Sequence, residues 1–304
     1  MQDRHPPLLN PKLNAWKSKG SYFSYKGLEL FYIREGSGPV LLLCHGYPYN
    51  SYDFEPLWSS LTSRYTVIAA DMPGMGFSDK PGTYNYCFAG MSGMYKALLL
   101  HCQVVSAHIL SHDLGNSVVQ ELLSEFEEGR LSFTIQTIAF LNGGLFSSVY
   151  RPRLIQVLLS KTPAPVGQFL SRLLTKKLVM KATAEVFGKH TKPSPELEDI
   201  FWEILNYKNG RSVSHLLGRL VFEKDRYQAR WITAMQQTRV PMCFINGPAD
   251  PNSGIHMAEK YRQLIPQPVL FILNEQIGHW PQIEAPEEVL KAYHSFITNA
   301  DMAR

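Results

Sequence analysis

Six apolar runs punctuate this chain: Val40–Cys44, Tyr65–Ala70, Val104–Leu110, Phe133–Leu141, Pro241–Gly247 and Pro268–Leu273. Continuous apolar runs of that length mark strands buried on both faces of a parallel sheet. Helical spacing fills the gaps between the early runs, near Asp53–Ser63, over Phe88–His101 and from Ser117 onward. Strand and helix in alternation predict an α/β fold with a doubly wound, mostly parallel sheet. Ahead of it, Ser21–Tyr25 and Leu28–Ile33 flank Lys26-Gly27, which reads as a β-hairpin. The alternation stops after Leu141. From Ser147 to Gln228 the pattern is helical and broken by Pro, over Leu154–Leu159, Val166–Val179, Leu197–Tyr207 and Val213–Phe222. This predicts a helical lid inserted in the sheet domain. The expected organisation is a loose N-terminal arm over 1–19, a core over 20–146 and 229–304, and the lid over 147–228. A last helix should start at Pro286, a favoured first helical residue, and run to about Asn299.

Composition narrows the partners. Of 304 residues, 45% are hydrophobic and 18% charged, an ordinary globular balance. The net charge of +4 is scattered, and the Lys176-Lys177 pair reads as a solvated helix face. Nucleic-acid binding is therefore not expected. Cys44, Cys87, Cys102 and Cys243 form no metal-ligand spacing with the histidines, so no metal is expected. Two of these thiols lie in core runs, which fits reduced, buried cysteines and a cytoplasmic location. No apolar run reaches the roughly 18 residues of a membrane span.

Chemistry gathers at the carboxyl ends of the runs, where parallel sheets place their functional groups. Ser111-His112-Asp113-Leu114-Gly115-Asn116 stands between a strand and a helix. Small residues two positions either side of Asp113 are what a nucleophile elbow needs, because larger ones would clash with the strand and helix. An Asp there also suits a helix cap. Ser111 is a rival nucleophile, but its flanks, Ile109 and Asp113, are not small. His45-Gly46-Tyr47-Pro48, Asn142, Asp250 and His279-Trp280 lie at other strand ends. The chain order Asp113, Asp250, His279 is the order nucleophile, acid, histidine. Singly, Asp250 also suits a turn, and His279 a satisfied structural histidine.

His45-Gly46-Tyr47-Pro48, the Asp71–Pro81 loop, Ser111–Asn116 and Gly278-His279-Trp280 with Glu284 and Pro286 resemble the α/β-hydrolase superfamily, in its epoxide hydrolase and haloalkane dehalogenase branch. Within it the chain is similar to the mesoderm-specific transcript family. Tyr25-Lys26-Gly27, Ser111-His112-Asp113, Asn142-Gly143-Gly144 and Phe244–Pro251 carry that likeness, which runs from about Asn14 onward. The resemblance implies the α/β-hydrolase fold with a lid, and no cofactor. That family generally carries an apolar N-terminal segment for the endoplasmic reticulum membrane. Its absence here implies a soluble relative or an incomplete N-terminus, and leaves membrane association open.

The residue types then imply a mechanism. Asp113, ionised at neutral pH, attacks a carbon bearing a leaving group and forms an ester. His279, oriented by Asp250, takes a proton from the water that cleaves it. The backbone N–H groups of Tyr47 and Leu114 hold the developing oxyanion. His45, Asn142 and Trp280 are candidates for contact with a small apolar or lipid-like substrate. So are the lid residues Tyr150, Tyr207 and Tyr227, which equally suit lid packing. Two departures matter. Dehalogenases of the branch place Trp after the nucleophile to hold halide, where this chain has Leu114. The lid tyrosines that protonate an opening epoxide match no local pattern here. A hydrolase of the epoxide-hydrolase type is expected; a carboxylesterase and a non-catalytic binding protein of the same fold are the alternatives.

Overall fold

The structure, a computed structural model, describes residues 9–153, 157, 162 and 164–302. Its centre is an eight-stranded sheet in the order β1-β2-β4-β3-β5-β6-β7-β8. The strands are β1 (Ser21–Tyr25), β2 (Leu28–Glu35), β3 (Val40–Cys44), β4 (Thr66–Ala70), β5 (Ser106–Ser111), β6 (Thr134–Phe140), β7 (Met242–Asn246) and β8 (Val269–Ile272). β2 runs antiparallel to β1 and β4, and every other pairing is parallel. The β1–β2 turn puts Lys26 at φ 51° and Gly27 at φ 77°, the left-handed pair that a two-residue hairpin requires.

Side-chain alternation divides the core. Leu42, Ile68 and Ile109 join the apolar cluster on one face of the sheet, under the helices Phe88–His101, Leu114–Glu127, Gln228–Gln237 and Ile255–Leu264. Leu41, Leu43, Val67 and Leu110 join the cluster on the other face, under Pro11–Ser18, Glu55–Thr62 and Pro286–Met302. Both faces of the central strands are covered, which is why those runs are continuously apolar.

The N-terminal stretch differs from the sequence expectation. Pro11–Ser18 is a helix, started by the Asn10 side chain accepting the Lys12 N–H. Leu13 and Trp16 are buried on it, and Trp16 meets Trp58 edge-on at 4.7 Å. Two large apolar side chains in eight residues leave too little periodicity to read; docking onto the core makes the helix.

Among the described residues, no strand lies between Phe140 and Met242, and helices fill the insertion. The stretch Val166–Val179 is two helices rather than one, Ala164–Leu173 and Lys176–Ala184. Thr175 restarts the helix by accepting the Leu178 N–H on its hydroxyl. The expected helix Leu154–Leu159 lies outside the described residues except for Val157. Among the described residues, no helix is long and apolar enough to cross a membrane.

Candidate active site

β5 delivers Asp113 to the tip of a turn with φ 49° and ψ −112°, a strained backbone for a residue with a side chain. Its carboxylate makes no capping bond to the helix that follows, so the cap reading is set aside. The neighbours force this geometry. A Cβ on Gly115 would lie 2.3 Å from the Cys44 carbonyl oxygen, and one on Gly143 would lie 2.6 Å from the Asp113 Cα. Ser111 turns its hydroxyl away to Asn116 Oδ1 at 2.8 Å, buried at the strand end, and does not line the cavity above the elbow.

Three separate strand ends bring the expected triad together. His279 Nδ1 lies 2.7 Å from Asp250 Oδ2, and His279 Nε2 lies 3.6 Å from Asp113 Oδ1. The other Asp113 oxygen, Oδ2, accepts the Tyr47 N–H at 3.0 Å. Leu114 is the first residue of its helix, so its N–H has no acceptor within that helix. Asp250 is held by Ser253 Oγ at 2.5 Å, the Asn252 N–H at 2.8 Å and Asn142 Nδ2 at 3.2 Å.

The charges support one another. Burial alone would raise the Asp113 pKa, but the His279 hydrogen bond and charge, with His112 and Lys224, hold it below the ordinary carboxylate range. Burial also opposes a charged His279, yet Asp250 and Asp113 together raise its pKa. Asp250 stays ionised for the same reason, against its burial.

A cavity of about 130 Å³ opens above Asp113. Leu174, Val179, Val186, Leu205 and Val221 from the lid make its apolar wall, and Tyr47, His279 and Trp280 its floor. Of the residues expected to contact substrate, Trp280 lines this cavity and five do not. His45 lies beneath the site, accepting the Met72 N–H on Nε2 at 2.9 Å and donating from Nδ1 to the Gly46 carbonyl at 2.7 Å. Burial lowers its pKa, which fits that neutral form. Asn142 ties β6 to β7 by accepting the Gly247 N–H at 2.6 Å and donating to the Gly247 carbonyl at 2.8 Å. Tyr150 lies under the Lys224 ammonium at 4.7 Å. Tyr207 packs edge-on against Phe77 at 5.0 Å, and Tyr227 stacks on Trp231 at 5.4 Å. None of the three tyrosines lines the cavity.

Three supporting residues had no role assigned from the sequence. His112 Nε2 donates to the His279 carbonyl at 2.7 Å, and burial, then the charge of His279, lowers its pKa to about 3. Glu284 accepts the N–H groups of Gly188, Gly278 and Trp280 at 2.8, 2.8 and 3.0 Å, fixing the loop that carries His279. Asp53 accepts the Trp280 indole N–H at 3.2 Å, and burial raises its pKa. His112 and Glu284 flank the elbow and the histidine in sequence; Asp53 offered no signal.

Comparison with known proteins agrees with this architecture. The family model described as alpha/beta hydrolase fold matches residues 39–286. The mesoderm-specific transcript homolog proteins of Bos taurus and Homo sapiens are each 38% identical, over 97% of this chain and 90% of theirs. The solved Cif epoxide hydrolase from Acinetobacter nosocomialis superposes with a TM-score of 0.76 at 19% identity, covering 97% of this chain and 99% of that one. That last likeness is one of fold. The elbow, the Asp250–His279 pair and the lid thus sit in a chain that belongs to the α/β-hydrolase family, as a homologue of the mesoderm-specific transcript proteins.

Proposed function

We propose that this protein is a hydrolase of the epoxide-hydrolase type, working through an ester on Asp113 and acting on a small apolar or lipid-like substrate. The observation that carries this reading is the two-sided hold on the Asp113 carboxylate. Oδ2 is bound by the Tyr47 N–H, while Oδ1 faces His279 Nε2 at 3.6 Å. Oδ1 is the attacking atom, and Oδ2 is the oxygen on which charge builds when water adds to the ester. A carboxylate held ionised needs no base to make it a nucleophile. His279 serves the second step, taking a proton from water with Asp250 fixing its ring. The apolar lid wall selects an apolar substrate.

The test is a panel of epoxides, haloalkanes and esters on purified protein, beside an Asp113→Ala control. Epoxide or ester hydrolysis should exceed haloalkane hydrolysis, because the Leu114 side chain cannot donate a hydrogen bond to a departing halide. Robust halide release from simple haloalkanes would refute this. Tight binding across the panel with no turnover and no adduct would favour a non-catalytic protein.

A pH dependence follows with a defined sign. Ester formation needs ionised Asp113, whose pKa is held low, so that step should be flat through the neutral range. Ester hydrolysis needs neutral His279. In the ester Asp113 carries no charge, so one of the two carboxylates that raise the His279 pKa is gone. The hydrolytic step should therefore rise about tenfold per pH unit on its acid side and level off once the imidazole is neutral. Rapid-quench mass spectrometry resolves the two steps. A hydrolytic step that falls as pH rises would remove His279 as the base.

A further inference from the structure

An alkoxide leaving group needs a proton, and the lid tyrosines are not placed to give one. In-line displacement by Asp113 Oδ1 sends the leaving oxygen to the far side of the attacked carbon, toward the lid. His279 Nε2 stands on the near side, 3.6 Å from Oδ1 itself. The donor must therefore be on the lid side of the cavity.

Among the described residues lining the cavity, most polar groups there are committed or too weakly acidic. Thr183 Oγ1 shares a hydrogen bond with Tyr49 at 2.6 Å. Ser214 Oγ bonds the Gly210 carbonyl in its own segment. The Trp280 indole N–H is given to Asp53, and Arg153 is paired with Glu185. Aliphatic hydroxyls and amides are in any case far weaker acids than a phenol. Tyr47 differs. Its backbone N–H holds Asp113 Oδ2, the residue lines the cavity, and its phenol hydroxyl lies against Ser214 of the lid. There it donates to the Ser214 carbonyl at 3.1 Å, a single backbone acceptor from which it can turn.

We propose that the Tyr47 phenol is the general acid that protonates the leaving oxygen when Asp113 opens an epoxide. The proposal rests on the aspartyl-ester reading. In the step, an Asp113 Oδ1 lone pair forms the new C–O bond. The breaking C–O pair goes to the epoxide oxygen, which takes the phenol proton, leaving a Tyr47 phenolate. Site charge is conserved: the negative charge of Asp113 disappears into the ester as one appears on Tyr47. Burial, and then the Asp113 charge, keep the resting phenol protonated, with its pKa pushed up to about 12. Loss of the Asp113 charge makes the phenol a stronger acid at the moment its proton is needed. The phenolate is reprotonated when His279 releases the proton taken from water, so the sum is epoxide plus water to diol.

Tyr47→Phe keeps the N–H on Asp113 and the aromatic ring, and removes only the hydroxyl. The experiment compares His279→Gln with Tyr47→Phe/His279→Gln, following single-turnover alkylation of Asp113 by a series of terminal alkyl epoxides in H2O and D2O. Thermal unfolding confirms that both variants are folded. The expected result is alkylation about 100-fold or more slower in the double variant, with the solvent isotope effect of the parent lost. Alkylation slowed by less than about threefold would overturn the proposal. So would a slower reaction that keeps its isotope effect, since that is what a shifted lid alone would give. No adduct on Asp113 in the His279→Gln parent would instead overturn the ester reading, and this proposal with it.

Discussion

A His279→Gln variant should form the Asp113 ester once and then stall, with turnover about 100- to 10,000-fold below the parent. The asymmetry comes from where the histidine stands. An aspartate is ionised at neutral pH, and in the variant Lys224 and the Tyr47 N–H still favour the charged form of Asp113 against its burial, so the first step survives. Water is not a nucleophile until His279 draws off its proton, so the second step fails. Mass spectrometry after substrate addition should find the adduct on the peptide that contains Asp113. A serine hydrolase behaves in the opposite way, because there the histidine activates the nucleophile and its loss blocks the first step. Asp113→Ala should abolish the adduct. Ser111→Ala should leave it, since that hydroxyl is buried against Asn116 at 2.8 Å. Asp113→Asn is a poorer control, because hydrolysis of the amide in place would restore activity. An adduct on Ser111, or unchanged turnover in Asp113→Ala, would end the aspartate reading.

What the sequence made legible was what local chemistry determines. Val40–Cys44 and Phe88–His101 have the same bounds in both, because two-sided burial and helical spacing each leave an unbroken signature. The elbow was readable because steric exclusion at its flanks leaves a pattern of small residues, and Gly115 has a carbonyl oxygen where its Cβ would be. Distance across the fold is a different matter. Asn142 stands at a strand end, as a substrate ligand would, yet its amide is consumed by Gly247 and Asp250. Nothing in one strand says which neighbour it will meet. The lid tyrosines failed for a related reason: an aromatic ring on a helix packs or points at substrate according to how that helix docks. Tyr207 is taken up by Phe77 and Tyr227 by Trp231. Tyr47 was singled out for its backbone N–H, with its side chain left free to shape the pocket; that its phenol meets the Ser214 carbonyl depends on how the lid docks.

Glu284→Ala should cost about 2–4 kcal/mol of stability, and lower turnover about 100-fold in whatever enzyme survives folding. Glu284 touches no reacting atom. One of its oxygens accepts the N–H groups of Gly188 and Gly278 at 2.8 Å each and the Thr191 hydroxyl at 2.5 Å. The other accepts the Trp280 N–H at 3.0 Å. A single carboxylate thus ties the Gly188–Thr191 stretch in the middle of the lid to the residues on both sides of His279. These donors are part-buried, so water replaces some of the lost bonds, which keeps the cost toward the low end for each unmet donor. The effect on rate arises because His279 must hold Nε2 against Asp113 Oδ1 while Nδ1 stays on Asp250, and a shift of about 1 Å breaks that alignment. The other restraints on the His279 backbone are its N–H to the Val186 carbonyl at 2.9 Å and the His112 bond to its carbonyl at 2.7 Å, while Asp250 holds the ring at 2.7 Å. Glu284→Gln should fall between, because an amide offers one oxygen and presents a donor where the carboxylate accepts. Denaturant unfolding gives the stability, and separate kcat and KM values locate the loss. Because His279 acts on the ester, a fall in kcat with a parallel fall in KM, and kcat/KM little changed, fits a displaced His279. An Ala variant within about 0.5 kcal/mol of the parent and fully active would show that the loop is held without Glu284.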